Sequence, residues 1–445
     1  MRKPNASCSC NRFLFLIYLF LCSNLLHVEG FDSLIQLPRF RETRNRISSR
    51  GVVSVFDFGA KGDGIHNDAK AFKNAWEAAC SYESQSTLEV PAGRTYLVGP
   101  IDFGGPCQSK VTLRVSGTIV APEDPHVWDG LNRQRWLYFH GLNDLTVEGG
   151  GTINGMGQEW WSQSCKINIT NPCRHAPTAI SFHRCTNLKV RNIMTVNSQQ
   201  MHIAFTNCQK VVASHIIVVA PVGSPNTDGI HISASTNVQV KDSVIGTGDD
   251  CISIVSNTSR VRVRNISCGP GHGISIGSLG KSKSCDDVNN VLVDGAFISN
   301  TENGVRIKTW QGGCGFARKI KFQNVLMENV SNPIIIDQYY CDSLIPCQNQ
   351  TMAVQVDSVS FIGIEGTSAT EEAIRFACSD NSPCRRIYLE DIQLFSHSGE
   401  PTTAFCWQAW GAYSGIMRPP SCFPCSGSFI KQKVISSAIH LAISR

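Results

Sequence analysis

Charged side chains are scarce in this chain of 445 residues: Asp, Glu, Lys and Arg make up 17% of it, against 42% hydrophobic residues. That balance excludes a disordered polymer, which lacks the apolar surface to fold, and a collagen-like one. Long apolar runs are absent beyond residue 30, so no later segment can cross a bilayer as a helix. An excess of one charge is also missing from most of the chain. The net charge is +5, but residues 1–30 hold three Arg/Lys against Glu29, and residues 31–50 hold five Arg against Asp32 and Glu42. Everything after residue 50 is neutral in sum, so there is no nucleic-acid stripe, and attraction to any polyanion must come from a local cluster.

Amphipathic helical runs and Asn-Gly hairpin turns are few, which argues against both βαβ units and antiparallel sandwiches. What recurs instead is a short triplet of apolar, any, apolar: Leu145-Thr-Val, Leu188-Lys-Val, Val211-Val-Ala, Val238-Gln-Val, Val261-Arg-Val, Val291-Leu-Val, Ile320-Lys-Phe, Val354-Gln-Val and Ile387-Tyr-Leu. Most intervals are 23 to 34 residues; the first, of 43, suggests one more coil hidden near Ile180-Ser-Phe182. Strands too short to bury a face alone, spaced one coil apart, stack into a solenoid. The spacing predicts an all-β protein, a parallel β-helix. One amphipathic run, Ala69 to Cys80 behind Asp68 as N-cap, is expected to form an N-terminal capping helix, since an open solenoid end exposes core and strand edge.

Residues 51–425 read as one domain. Residues 1–30, with Arg2, Lys3 and Arg12 ahead of the apolar run Phe13 to Leu26, read as a secretory signal peptide. Residues 31–50 read as a basic lead-in, and residues 426–445 as a tail of unclear structure. Cysteine is plentiful, with 20 in all, three of them in the leader, which implies an oxidising compartment and a secreted protein without stable membrane insertion. The close pairs Cys341/Cys347, Cys378/Cys384 and Cys422/Cys425 are expected as disulfides, because no histidine pair accompanies them to make a metal site. Sequons at Asn168, Asn257, Asn265, Asn329 and Asn349 suit a glycosylated exported chain.

Three short matches carry no function. Asp57-Phe-Gly59 lacks a catalytic-loop partner, Gly273-Ile-Ser275-Ile-Gly277 lacks the helix that a nucleophile elbow needs, and Gly280-Lys-Ser282 lacks the first glycine of a phosphate loop. The informative residues lie late in successive coils: Asp228, Asp249 with Asp250, His272, and Arg306 with Lys308. Asp228 and Asp250 are 22 residues apart, close to one coil, and stacked strands lie ~4.7–4.9 Å apart, so the two carboxylates should be neighbours. Arg306 and Lys308, two apart, should share a face. Asp249 and Asp250 are consecutive and can reach one cleft only if Gly248 permits an irregularity. Each aspartate alone would be turn chemistry, whereas three gathered on one face are tolerated mainly where perturbed carboxyl pKa values are useful.

Asn226-Thr-Asp228, Gly248-Asp-Asp250, Gly271-His-Gly273 and Arg306-Ile-Lys308 resemble the four signature motifs of the polygalacturonases, pectin-hydrolysing glycosidases, and most closely those of plants. The resemblance runs from Phe56-Asp-Phe-Gly to about Cys422 and implies a right-handed parallel β-helix. It also implies Asp249 as general acid, Asp228 and Asp250 as the pair activating water, and His272 as support for the acid's proton. Asn226, Arg306, Lys308 and Tyr340 would bind substrate, with pectin or homogalacturonan in the cell wall as the partner. A monomer that needs no metal and no cofactor is the expectation. A Ca²⁺-dependent pectate lyase and a non-catalytic wall-binding protein remain as alternatives; the intact trio of acids speaks against the second, since three acids hinder mere binding of a polyanion.

Overall fold

The computed structural model describes residues 51–343 and 346–423. Its strands form two sheets, one of 17 and one of 11 strands, and every strand ladder within them is parallel. Each coil of the chain gives one long strand to the first sheet and one short strand to the second, the arrangement of a right-handed parallel β-helix. The triplets are in register as the spacing predicts: Leu188 pairs with Val211, Val211 with Val238, Val238 with Val261, Val261 with Val291 and Val291 with Ile320.

The bend after each triplet has a single recurring cause. Asn192, His215, Asp242, Asn265, Gly295, Asn324, Gly363 and Asp391 occupy equivalent places on successive coils, and all have φ between 49° and 76°. Asn, Asp and Gly tolerate this left-handed conformation best, and a side-chain amide can bond along the column, as Asn265 does to Asp242 at 3.0 Å. The residue two places after each triplet is therefore the hinge of the coil.

The short-strand sheet places the site. Its strands Ile230–Ser233, Ile252–Ile254, Ile274–Leu279 and Asn303–Thr309 carry two inward columns, Ile230/Ile252/Ile274/Val305 and Ile232/Ile254/Ile276/Ile307, all of them 0% exposed. Alternation then turns the middle residue of each triplet outward: His231, Ser253, Ser275 and Arg306. Towards the N-terminal end the second column becomes aromatic. Phe103, Phe139, Phe182 and Phe205 stack with ring centroids 4.5, 5.1 and 5.5 Å apart.

Four expectations need correction. No coil hides in the long first interval: Lys189 pairs directly with Thr146, and Ile180–Phe182 belongs to the short-strand sheet, paired with Leu137–Phe139. The extra length is an insertion that carries a short helix, Gln158–Ser162, and the disulfide Cys165–Cys173. The triplet that continues the register after Ile320 is Val359-Ser-Phe361, not Val354-Gln-Val356, because the loop before it is longer than a periodic count allows. Cys422 bonds to Cys406, across from it on the neighbouring turn, and not to its near neighbour Cys425, which lies outside the described residues. A helix spans Ala69–Cys80, but the Asp68 side chain does not cap it; its carboxylate accepts from the backbone N–H groups of Lys61 and Gly62, at 2.7 and 3.0 Å.

That helix buries Ala71, Phe72, Ala75, Trp76 and Ala79 on one face, and Trp76 stands edge-on to Phe103 and Phe139. The disulfides Cys341–Cys347 and Cys378–Cys384 form as the spacing predicts. The leader of residues 1–30, the lead-in of residues 31–50 and the tail of residues 426–445 lie outside the described residues.

Phe182 is fully buried within the aromatic stack. Phe182→Ala should destabilise the protein by ~3–5 kcal/mol, since the rings above and below cannot collapse into the gap. Denaturant unfolding followed by tryptophan fluorescence measures it, with the midpoint falling at unchanged slope.

Candidate active site

Asp228 and Asp250 each precede the first inward isoleucine of their coil by two residues, and Ile230 pairs with Ile252, so the two carboxylates are stacked neighbours. The backbone ties them as well: Gly229 N–H donates to the Asp250 carbonyl at 2.9 Å. Asp249 and Asp250 both reach the cleft because they lie in a turn ahead of the strand rather than within it. The Asp249 carboxylate accepts from the Asp250 N–H at 2.7 Å, which fixes that turn. Gly248 permits it by closeness: a Cβ there would meet the Ser224 carbonyl oxygen at 2.1 Å. Gly273, beside His272, has φ of +80° and lies against the Asn303 carbonyl, which a Cβ would meet at 2.0 Å.

Asp250 is 2% exposed and holds the most crowded charge of the site. Its Oδ1 accepts from Arg306 Nη2 and Ser275 Oγ, both at 2.7 Å, and its Oδ2 accepts from Lys308 Nζ at 2.9 Å. Arg306 Nε also donates to Ser275 Oγ, at 3.0 Å. Burial pushes the Asp250 carboxyl up, but Lys308 and Arg306 outweigh it and hold the pKa down at about 2. Removing one partner of such a buried pair leaves an uncompensated charge, a loss of ~3–5 kcal/mol.

Asp228 has the opposite environment. Ser253 Oγ donates to its Oδ2 at 2.6 Å, and the nearest cationic candidate, His231, stands 3.9 Å off. Burial first, and then the negative charge of Asp249, push its pKa up. Two stacked carboxylates thus have their proton affinities driven apart by one coil's difference in neighbours.

His272 Nδ1 lies 3.2 Å from Asp249 Oδ1, and its Nε2 lies 3.3 Å from Glu302 Oε2. Burial opposes a charge on the ring, yet these two acids prevail and raise its pKa. Asn226 Nδ2 donates to the other Asp249 oxygen at 3.4 Å. The Tyr340 ring lies 5.2 Å below Lys308 Nζ and stands edge-on to Trp310. Asp249, Asp250 and His272 bring ligand atoms within 4.8 Å of one another, but a metal ion there would have to compete with Arg306 and Lys308 for Asp250.

All eight residues singled out in the sequence line one cleft of about 550 Å³. Sequence reasoning missed His231, Ser253, Ser275 and Glu302. A signal for the first three existed in the triplets Ile-His-Ile, Ile-Ser-Ile and Ile-Ser-Ile, whose polar middles recur at the same coil spacing as Arg306. Ser275, set aside as a nucleophile, is 0% exposed and serves as a donor to Asp250.

The family model for glycosyl hydrolases family 28 matches residues 80–412. A probable polygalacturonase of Arabidopsis thaliana is 56% identical over 92% of this chain and 93% of its own length. A polygalacturonase of Persea americana is 51% identical over 85% of this chain and 82% of that protein. Among solved structures, an exopolygalacturonase from Thermotoga maritima superposes with a TM-score of 0.70 at 21% identity, covering 83% of this chain and 92% of that one. An endo-xylogalacturonan hydrolase from Aspergillus tubingensis gives 0.71 at 23% identity, covering 82% and 100%. At those identities the structures speak for the β-helix alone, whereas the family match and the plant relatives establish that the chain belongs to glycosyl hydrolases family 28.

Proposed function

We propose that this protein is an exported, monomeric hydrolase that cleaves α-1,4-galacturonosidic bonds of pectin in the cell wall, by inversion and without metal or cofactor. The observation that carries the reading is the pairing of a carboxylate trio with two buried cations in a single cleft. A glycosidase needs one proton donor and one ionised group, and Arg306 and Lys308 hold Asp250 in the ionised form, which leaves the donor's place to another member of the trio. Arg306 and Lys308 give the cleft the local positive charge that the neutral body lacks, which suits a sugar that is itself an acid.

In this reading Asp249 delivers the proton to the leaving oxygen. His272, in contact with the Asp249 carboxylate, supports that proton in this reading. Asp228 and Asp250 hold the attacking water between adjacent coils, and Asn226 and Tyr340 line the path of the sugar. A single-step displacement is favoured by the occupancy of Asp250. Both of its oxygens already accept hydrogen bonds, so forming a glycosyl ester there would mean dismantling the contacts to Lys308 or to Arg306 and Ser275.

One observation favours a retaining mechanism instead. Asp249 and Asp250 are sequence neighbours on one wall of the cleft, each with an oxygen within 4.8 Å of the other's, which leaves little room for a water between that pair. Proton NMR of the first product from polygalacturonate separates the two. Inversion gives a β-configured reducing end first, while an initial α-anomer, or a glycosyl ester trapped on Asp250, establishes the retaining course. No product at all would remove the hydrolase reading.

Asp249→Asn keeps the shape and removes the proton, so kcat should fall at least ~10²-fold with folding unchanged. Turnover above a third of wild type would mean that another group is the acid.

The pH profile of kcat/KM should carry the sign of the Asp228 shift. Asp228 must be ionised to accept a proton and its pKa is raised, so the acidic limb should lie above the ordinary aspartate value of 3.8. His231 lowers the Asp228 pKa, so His231→Ala should move that limb to higher pH and leave the alkaline limb in place. An acidic limb at or below the ordinary value would show that Asp228 is not the titrating base.

A further inference from the structure

The outer face of the long-strand sheet, away from the cleft, carries an apolar row. Ile217 pairs with Val244, Val244 with Ser267, Ser267 with Phe297 and Phe297 with Leu326, so the five stand one above another on successive coils. The four apolar members are 38% to 52% exposed. At ~4.7–4.9 Å per strand the row is about 19 Å long. Its surroundings are of ordinary surface character: Lys241, Arg264, Asp294 and Gln323 form the row three residues earlier, and past Leu326 the row itself turns polar at Glu365 and Gln393. A bounded apolar strip on a solvent face calls for a cover. None of its members lines the catalytic cleft.

The one polar member of the row, Ser267, is the hydroxyl residue of the sequon Asn265-Ile-Ser267. Of the five sequons, this one alone puts its hydroxyl residue in the apolar row. Asn265 is exposed and stands at the hinge of its coil, with φ of 49–50°, two residues from the row. Its amide is placed to carry a substituent. Nδ2 donates one of its two hydrogens to Asp242 Oδ1 at 3.0 Å, along the column of hinge residues. On the other side of Asn265 the column holds Gly295, where a Cβ would meet Asn265 Oδ1 at 3.2 Å. A group that replaces the second amide hydrogen therefore leaves the bond to Asp242 in place and meets a neighbour without a side chain.

We propose that Asn265 is the attachment site of an N-linked glycan, and that the first sugars of this glycan lie along the apolar row and cover it. The proposal rests on the export proposed above. The donor is an oligosaccharide linked to a lipid diphosphate. Asn265 Nδ2 attacks its anomeric carbon, the C–N bond forms as the C–O bond to phosphate breaks, the amide gives up one proton, and the lipid diphosphate leaves. An N-acetylhexosamine has an apolar C–H face and a rim of hydroxyls. Laid over Val244 and Phe297, which stand one strand to either side of Ser267, it removes apolar surface from water and presents a polar surface instead. The sequon's place inside the row favours this occupant over a second protein, because a glycan on Asn265 holds a flat protein surface away from the strip.

Attachment is decided on the exported full chain. Peptide mass spectrometry after peptide-N-glycosidase treatment in heavy-oxygen water should find Asn265 converted to labelled aspartate. An unmodified Asn265 overturns the proposal. Glycan on another sequon would then leave export standing, whereas a chain kept inside the cell with no glycan at all fails the export reading too. Cover is decided by Ser267→Asn, which deletes the sequon, adds no apolar surface and lies outside the cleft. Its kcat/KM for polygalacturonate should stay within about twofold of wild type. It should bind an anilinonaphthalene sulfonate dye several-fold more than wild type, and adding Phe297→Ser should bring that binding back down. Ser267→Thr, which keeps the sequon, should match wild type. Enzymatic removal of the glycan from the folded wild type should raise dye binding as Ser267→Asn does, which keeps the test independent of how the variant folds. Dye binding unchanged by loss of the glycan, or a wild-type dimer that Phe297→Ser dissociates, would show that the glycan is not the cover and overturn the proposal.

Discussion

In-register stacking of short apolar triplets is the constraint on which the rest of this molecule depends. Once Ile230, Ile252, Ile274 and Val305 are buried one above another, the residues between and before them have no choice of direction. His231, Ser253, Ser275 and Arg306 must face outward, and Asp228 and Asp250 must sit one above the other. Residues as far apart in sequence as Asp250 and Lys308 meet at 2.9 Å because only two coils, and so about two strand spacings, separate them, a gap that the long lysine side chain spans. The core makes the site rigid without any side chain of the core belonging to it.

A group so placed takes its chemistry from its own coil's neighbours. Asp228 and Asp250 share a backbone geometry, yet one faces Ser253 and the charge of Asp249, and the other faces Arg306 and Lys308. Small differences one strand apart therefore yield opposed proton affinities. The cations serve twice in this account: they hold Asp250 ionised, and they give an otherwise neutral protein its attraction for an acidic polymer.

The coil period and the outward clustering of Asp228, Asp250, Arg306 and Lys308 were legible in the sequence, because alternation and spacing are local properties that burial imposes on every coil. Ser253 and Ser275 were not. A serine between two isoleucines reads as any exposed position, and only the carboxylate brought beside it from another coil makes it a donor. Glu302 likewise had no signal, since its contact with His272 joins neighbouring coils through loops whose lengths follow no pattern.

The same boundary separates the structural features. Close cysteines at 341/347 and 378/384 paired as their spacing dictates, because a short loop leaves few alternatives. Cys406–Cys422, the phase of Val359-Ser-Phe361 and the insertion after Leu145 were decided by the tertiary structure, since each depends on how much chain a loop stores between strands. The sequence by itself determined a solenoid with acids and cations on one side, through periodic burial. Which oxygen meets which donor, and which aspartate is driven up and which down, were decided only when loops of unequal length brought distant coils into contact.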